Sequence, residues 1–224
     1  MGKYPPPSVC PGEPSRTLLR AGTPVYRVHA THRESTAYNS RPSHPFYFGG
    51  RFDSTPLEPY DYAYVGFSAA AAVCEVLLRS VPFDDDGSPR LLPRAVFEQR
   101  SLSFLRLSED IEVVSLMSGK DLAAVAQDTW LVHTEGGDYP QTRDWGHWIR
   151  RQTSTWAAGF VWPSKREPAD RVAVLFADDT TAPALEQTGA PPVDFATEDG
   201  ELWLNGVLTP YQAQAAPLRP GRGR

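Results

Sequence analysis

Three side chains have types and surroundings suited to chemistry on a charged ligand: Glu75, Arg51 and Ser164. Glu75 is the only charge in the apolar segment from Ala69 to Leu78. Burying a carboxylate costs several kcal/mol unless a partner or a ligand compensates it. The sequence therefore leaves two interpretations of Glu75, namely an ion pair with an arginine in the core or a carboxylate that a ligand needs.

Arg51 and Arg27 are the arginines placed to meet an anion. Arg51 follows two glycines in G-G-R-F-D, and glycine permits a tight backbone approach or a positive φ. A planar guanidinium binds two phosphate or carboxylate oxygens at once, although Gly-Gly-Arg also occurs in plain turns. Arg27 and His29 share one side of a predicted strand, which faces either solvent or a pocket. Ser164 follows a strand end in W-P-S-K-R, where a serine lines a site or caps a turn.

The segment around Glu75 predicts a strand followed by a buried helix. Tyr62 to Val65 is rich in aromatic and β-branched residues, which is typical of a strand. Ser68 is a suitable N-cap for an alanine-rich helix over Ala69 to Leu78. The strand and the helix together position the carboxylate of Glu75.

The remaining pattern predicts a mixed set of elements. Asp138 to Arg151 predicts an amphipathic helix in which Trp145, Trp148 and Ile149 share one side, which favours a core role over base stacking. A short helix is expected after Ser118. Four segments are predicted to be strands, and a hairpin with its turn at Asn205-Gly206 is predicted over Glu201 to Leu208. The four strands are Ala95 to Leu107, Ile111 to Leu116, Gly159 to Trp162 and Arg171 to Phe176.

Composition excludes several classes of protein. A chain of 224 residues with 41% hydrophobic residues predicts one domain with a sizeable core. The net charge of −5 argues against a nucleic-acid-binding surface. No apolar run approaches the ~18 residues of a membrane helix, and the N-terminus has no apolar signal region, which predicts a cytoplasmic protein. The two cysteines and five histidines lack metal-ligand spacing, and phosphate-loop, dinucleotide-loop, zinc-protease and nucleophile-elbow motifs are absent.

Read in chain order, these residues resemble the RES domain family, which is named for an Arg, a Glu and a Ser. The three appear here as Arg51 in G-G-R-F-D, Glu75 in A-A-A-V-C-E-V-L and Ser164 in G-F-V-W-P-S. Arg27 in V-Y-R-V resembles the arginine of the family's N-terminal strand. Tyr64, eleven residues before Glu75, resembles its strand tyrosine.

The resemblance runs from about Pro14 to Asp178, with one departure at Phe52-Asp53, where many members read Trp-Asn. It implies an α+β fold similar to ADP-ribosyltransferases: a single domain with a split, twisted β core, flanking helices and a site for NAD. We expect a flexible segment over 1–13 and the catalytic domain over 14–180. The extension over 181–224, with the hairpin and a disordered tail, has no counterpart in the family.

The resemblance also implies a function, that of an intracellular toxin that degrades NAD and is neutralised by a helix-turn-helix antitoxin. Glu75 is expected to stabilise the cation that develops as the nicotinamide–ribose bond breaks. Arg51 and Arg27 are expected to neutralise the pyrophosphate, and Tyr64 to stack or hydrogen-bond near nicotinamide. Ser164 is expected to orient the ribose or Glu75. NAD is then the substrate, and no metal is expected.

Three hypotheses remain open at this level. The first is an NAD glycohydrolase or phosphorylase, with water or phosphate as the acceptor. The second is a protein mono-ADP-ribosyltransferase. Many such enzymes carry Glu or Gln two residues before the catalytic Glu, and Val73 occupies that place here. The third is a non-catalytic nucleotide-binding module in which Glu75 is a core ion pair. The oligomeric state is open.

Overall fold

Eleven strands form two sheets in the part of the chain that the structure describes. The computed structural model describes residues 4–83, 85–177 and 183–217. The strands are β1 (Arg16–Leu19), β2 (Pro24–Ala30), β3 (Asp61–Gly66), β4 (Arg90–Leu92), β5 (Arg100–Leu107), β6 (Ile111–Ser115), β7 (Gly159–Pro163), β8 (Arg171–Ala177), β9 (Leu185–Gln187), β10 (Val193–Asp194) and β11 (Ala213–Ala215).

Six α-helices flank the sheets within the same residues. They are α1 (Ala69–Val73), α2 (Arg94–Phe97), α3 (Gly119–Ala124), α4 (Trp130–His133), α5 (Tyr139–Thr153) and α6 (Glu198–Leu208). The chain continues from α1 directly into a π-helix, Cys74–Leu78. Two short 3-10 helices, Gly136–Asp138 and Thr209–Tyr211, precede α5 and follow α6.

The main sheet has nine strands in the order β1-β6-β7-β8-β3-β2-β5-β10, with β9 also paired to β5. β6 and β7 run parallel, whereas the other neighbours in this sheet are antiparallel. β4 and β11 form a separate parallel pair. The mixed sheet and its helices confirm the prediction of a single α+β domain.

Alternating side chains give the main sheet two distinct apolar faces. On the face that α1 and α5 cover, which we call the helix face, Tyr62 and Phe176 pack with the buried tryptophans of α5. Val28 packs on the same face with α1 and α6. Ala63 and Val65 point to the opposite face, where they join a third cluster. Glu75 lines a cleft with Tyr64 of the first cluster and Val28 of the second, so it lies over the helix face between the two.

Several predicted elements are confirmed. β3 contains the predicted strand, and Ser68 caps α1 by accepting a hydrogen bond from Ala71 N at 3.0 Å. Ser118 caps α3 in a capping box with Asp121. α5, β7 and β8 cover the predicted segments, and the aromatic stripe of α5 lies in the core.

The predicted hairpin over Glu201 to Leu208 is wrong, because these residues lie in α6. Thr197 caps this helix through its side chain, and Leu204 and Leu208, one turn apart, are buried. A cap and an apolar face together outweigh the local turn preference of Asn205-Gly206. The predicted strand from Ala95 is also shorter, since α2 occupies its start and β5 begins at Arg100.

The two predicted terminal segments adjoin the main fold. Near the N-terminus, Trp145 Nε1 donates to the carbonyl of Tyr4 at 3.0 Å. In the predicted C-terminal extension, β9 and β10 pair with β5, and α6 packs in the helix-face cluster around Val28. The boundary predicted at residue 180 and the tail over 218–224 lie outside the described residues.

Candidate active site

Glu75 lies at the start of the π-helix Cys74–Leu78 and is half-buried. The chain reaches it through a close strand–helix packing: a Cβ on Gly66 would lie 2.5 Å from Ala72 N. Single-turn π-helices occur frequently at functional sites. Most of the segment predicted as a buried helix is indeed buried, whereas the Glu75 side chain faces a cleft.

The cleft beside Glu75 is mostly apolar and narrow, with a volume of about 10 Å³, the space of a single water molecule. Its lining comes from β2, β3, β8, α1 and the π-helix: Tyr26, Val28, Tyr64, Val65, Gly66, Ala72, Glu75, Val76 and Val172. The carboxylate is the acidic group in this lining. An apolar wall strengthens the interaction of a carboxylate with a nearby cation, because water is excluded.

Ser164 lies within reach of Glu75. Its hydroxyl is 3.5 Å from Oε2 of Glu75, to which it donates, and it accepts from the main-chain N–H of Glu167 at 3.4 Å. Both separations are at the long limit of a hydrogen bond. The serine is fully buried just after β7. The structure thus brings together two of the residues that the sequence singles out.

Arg51 is buried, with 2% of its surface exposed. Its guanidinium donates to the carbonyls of Leu131 at 3.0 Å and Thr134 at 3.3 Å, and lies 5.1 Å from the ring centroid of Tyr139. Among the described residues, Arg51 Nε and the Tyr139 hydroxyl are buried without a hydrogen-bond partner. Arg51 therefore holds the α4 segment and keeps one donor free.

The turn that carries Arg51 depends on its glycines. Gly49 has φ of +81°, and a Cβ on Gly50 would lie 2.5 Å from Oδ1 of Asp53. Asp53 Oδ2 accepts from Gly50 N at 2.7 Å and from Ser43 Oγ at 2.6 Å. The glycines thus let a buried carboxylate bind the turn, as their sequence indicates.

Arg143 of α5 fixes the loop that leads into this turn. It is fully buried and donates to the carbonyls of His44, Pro45, Phe48 and Gly50, at distances from 2.7 to 3.3 Å. Sequence reasoning missed this role. The sequence gives little signal for it, because Arg143 lies on the side of α5 that also carries His147 and Arg150, away from the aromatic stripe.

Tyr64 binds the same turn from β3. Its hydroxyl donates to Asp53 Oδ1 at 2.9 Å and accepts from Phe52 N at 2.8 Å. Burial, and then the charge of Asp53, raise the pKa of Tyr64 well above its ordinary value, so the hydroxyl stays protonated. The hydroxyl is thus engaged by the turn, while the ring lines the cleft.

The structure does not bring Arg27 to Glu75. Tyr26 and Val28 point into the cleft, so Arg27 between them points to the opposite face of the sheet. There its guanidinium donates to the carbonyls of Ser35 and Ala37. Burial lowers the pKa of Arg27 to about 10, which leaves it charged at neutral pH. The prediction that Arg27 neutralises a pyrophosphate beside Glu75 is corrected accordingly.

Other cations surround the site instead. Arg79, four residues after Glu75, lies 5.1 Å from the ring centroid of Tyr139. Arg166 donates to the carbonyl of Arg79 at 2.8 Å. Arg166 also lies 3.6 Å from Glu135, which forms an ion pair with Lys165. The signal in the sequence was the Lys-Arg pair directly after Ser164.

The pKa shifts of Tyr139 and His133 show that both residues lie close to Glu75 and to the surrounding cations. Burial raises the pKa of Tyr139, Arg51 and Arg79 oppose that rise, and Glu75 adds to it. Burial, then Arg51 and Lys165, lower the pKa of His133, which favours a neutral imidazole. The carboxylate of Glu75 thus lies among an excess of cations.

Two further features of the described residues bear on the kind of site. No cluster of three or more His, Cys, Asp or Glu residues with the geometry of a metal site occurs in these ranges. The helices in the same ranges are too short or too polar to span a bilayer.

Comparison with known proteins gives one family and one fold. The family model of the RES domain matches residues 24–198, whereas no curated protein matches the chain. A chain in the crystal structure of the M. tuberculosis MbcT–MbcA toxin–antitoxin complex is similar, with 16% identity and a TM-score of 0.52. The match covers 79% of this chain and 86% of that one. At that identity the likeness concerns the fold alone.

Proposed function

Since the chain belongs to the RES domain family, we propose that it is an enzyme that cleaves the nicotinamide–ribose bond of NAD. The observation that supports this most is the half-buried Glu75 carboxylate, which faces an apolar cleft with the Ser164 hydroxyl 3.5 Å away. An ion pair in the core would bury this carboxylate against an arginine. Within the described residues, no arginine forms an ion pair with Glu75 at 4.0 Å or less.

The chemistry requires little more than a placed carboxylate. NAD loses nicotinamide as a neutral group from a cationic pyridinium, so the leaving group takes no proton. Positive charge develops on the ribose as the bond breaks. Glu75 stabilises that charge, more strongly in the apolar cleft than in water. The Ser164 hydroxyl orients the carboxylate or the ribose.

Cations on one side of Glu75 suit the pyrophosphate. Arg79, Lys165 and Arg166 are partly exposed, in contrast to Arg51. Because their side chains are partly exposed, they can reach an anionic ligand at the surface. The unpaired donors Arg51 Nε and Tyr139 hydroxyl are two further groups that a ligand oxygen can satisfy.

The acceptor is water or inorganic phosphate in this proposal. Transfer to a protein is the second candidate, and Val73 argues against it. A residue that positions an acceptor protein must be polar and reach the surface, but Val73, the last residue of α1, is apolar and fully buried. A non-catalytic nucleotide-binding module is the third candidate, in which NAD binds and persists.

The biological role follows as part of the same proposal. An enzyme that consumes cytoplasmic NAD endangers its own cell, and the similar MbcT chain was solved as a toxin–antitoxin complex. We propose a toxin whose site is covered by a partner antitoxin of the helix-turn-helix type. The net charge of −5 disfavours direct nucleic-acid binding by the toxin itself.

The test is nicotinamide release by the purified protein, measured with NAD in buffers with and without inorganic phosphate. Release in both buffers indicates a glycohydrolase, and release that requires phosphate indicates a phosphorylase. Labelled ADP-ribose on protein would identify the transferase instead. NAD that binds and remains intact under every condition would overturn the enzymatic proposal.

A further inference from the structure

A chain of hydrogen bonds joins the C-terminal segment to Glu75. Tyr211 lies in the 3-10 helix Thr209–Tyr211, beyond residue 198, where the family match ends. Its hydroxyl donates to Oε2 of Glu167. The N–H of Glu167 donates to Ser164 Oγ at 3.4 Å, and that hydroxyl donates to Glu75 Oε2 at 3.5 Å. Tyr211 is thus three hydrogen bonds away from the carboxylate.

Backbone hydrogen bonds within the turn between β7 and β8 couple the position of Glu167 to that of Ser164. Ser164 N donates to the carbonyl of Asp170 at 2.9 Å, and Asp170 N donates to the carbonyl of Glu167 at 2.9 Å. These bonds close residues 164–170 into one unit. The Glu167 side chain extends from this turn and accepts a hydrogen bond from Tyr211. A shift of Glu167 would therefore also move its main-chain N–H, which donates to the Ser164 hydroxyl.

Tyr211 is itself held firmly. Arg90, which is 4% exposed, donates to the carbonyls of Tyr211 at 2.6 Å and Val81 at 3.1 Å. Arg90 also pairs with Ala213 across β4 and β11. The hydroxyl of Tyr211 therefore extends from a fixed backbone.

Cys74, which precedes Glu75, lies against the same groups. Burial, followed by the charge of Glu167, raises the pKa of the Cys74 thiol to about 12. The thiol therefore stays neutral beside the Tyr211–Glu167 pair and adds no charge to the start of the π-helix.

We propose that Tyr211 is a positioning residue for the active site, because it anchors Glu167 and so sets the Ser164 hydroxyl against Glu75. The C-terminal segment then completes the site, although it lies outside the family match. For its catalytic consequence this inference rests on the proposed NAD cleavage. A purely structural Tyr211 would support stability and leave the rate of cleavage unchanged.

The variant Tyr211→Phe tests the inference, since it keeps the ring and removes the hydroxyl. Glu201→Gln is the matched control, because the Arg94–Glu201 pair at 2.7 Å ties the same segment to α2. Among the described residues, no hydrogen bond or ion pair of these two side chains reaches residues 164–170. We expect kcat for nicotinamide release to fall about tenfold in Tyr211→Phe with KM little changed. We expect Glu201→Gln to keep the kcat of the wild type.

Amide hydrogen exchange supplies a readout that does not depend on NAD. We expect faster exchange at Ser164 and Asp170 in Tyr211→Phe than in Glu201→Gln, because the anchor of their turn is lost. Glu167→Ala, which removes the anchor from its other end, should reproduce both effects.

The outcomes separate the two proposals. Tyr211→Phe with the kcat and the exchange rates of the control would overturn the positioning role. Faster exchange without any change in kcat would overturn its catalytic part. Wild-type protein that releases no nicotinamide would refute the proposed function, and exchange alone would then decide whether Tyr211 holds the Ser164 turn.

Discussion

The hydroxyl of Tyr64 donates to Oδ1 of Asp53 at 2.9 Å while it accepts from the N–H of Phe52 at 2.8 Å. A strand residue of the cleft thereby fixes the turn that delivers Arg51. Asp53 is 4% exposed, and its carboxylate also accepts from Ser43 and Gly50. Multiple donors compensate for the burial of this charge.

Replacing Tyr64 with Phe should therefore lower both stability and activity. The change removes a donor from a buried carboxylate and leaves the Phe52 N–H without its acceptor. We expect the free energy of unfolding to fall by about 1–3 kcal/mol, as measured by urea unfolding. NAD cleavage should fall as well, because the turn that carries Arg51 loosens.

Tyr38→Phe is the matched control for that measurement. Its hydroxyl accepts from Ala184 N at 3.1 Å, and within the described part of the chain it donates to no carboxylate. We expect a smaller loss of stability and full activity. Equal losses in the two variants would contradict a special role for the Tyr64–Asp53 pair.

Glu75→Gln should retain the fold and lose most NAD cleavage. The amide keeps the shape of the side chain but cannot stabilise a developing cation, so we expect a loss on the order of 10²-fold or more. Thermal unfolding and nicotinamide release are measured together. Glu135→Gln is the control, since it removes an exposed carboxylate from the same cationic surroundings. A stable Glu75→Gln variant with wild-type turnover would refute the catalytic role.

The sequence predicts those features of the site that depend on neighbouring residues. It fails for side chains whose direction depends on the pairing of strands that are distant in sequence. Arg27 and His29 are correctly expected on one side of a strand. Which side faces Glu75 depends on the pairing of Tyr26 with Gly66 and of β2 with β5, which local patterns do not reveal. The same pairing turns Arg27 away from the cleft.

The partners of Tyr64 show a second limit. Its place in the strand is predicted, but its hydroxyl meets Asp53 only because Gly49 and Gly50 fold the turn back onto β3. The role of Arg143 is hidden for the same reason, since its acceptors are main-chain carbonyls that lie far away in sequence. Every residue has a main-chain carbonyl, so the type of a residue does not reveal that it accepts a hydrogen bond from Arg143.

Gly206→Ala tests the correction from a hairpin to a helix. A Cβ at Gly206 in α6 would have no neighbour within 4 Å. Alanine is more favourable than glycine in a helix by about 0.5–1 kcal/mol, so we expect stability to rise by that amount. In a hairpin with an Asn-Gly turn the glycine would need positive φ, and alanine would destabilise the protein. Chemical unfolding distinguishes the two signs.

Arg79→Gln and Arg27→Gln should separate the two faces of the sheet. Arg79 lies beside Tyr139 near Glu75, so its loss should raise KM for NAD several-fold with little change in folding. Arg27 lies on the opposite face, so its replacement should leave KM unchanged, although loss of its bonds to Ser35 and Ala37 lowers stability. A raised KM in Arg27→Gln would instead indicate that Arg27 binds the pyrophosphate.

Stability should decrease as the pH falls from 7.5 to 5.5. Burial lowers the pKa values of His29, His133 and His147 below the ordinary 6.5. As the pH falls through 6.5, these histidines are therefore protonated in the unfolded chain at a higher pH than in the folded protein. The unfolded state then binds more protons, and each such histidine contributes a slope of up to about 1.4 kcal/mol per pH unit. Urea unfolding at several pH values measures the total slope.

His147→Gln isolates one of these contributions. His147 Nε2 lies 3.1 Å from the carbonyl of Asp53, to which it donates as a neutral ring, and the amide of Gln can supply a similar N–H without titrating. We therefore expect a shallower slope below pH 6.5 in this variant, with stability near pH 7.5 changed little. His32→Gln, at an exposed histidine, should leave the slope as in the wild type. If His147→Gln keeps the full slope, the buried imidazole of His147 is not a source of the acid sensitivity.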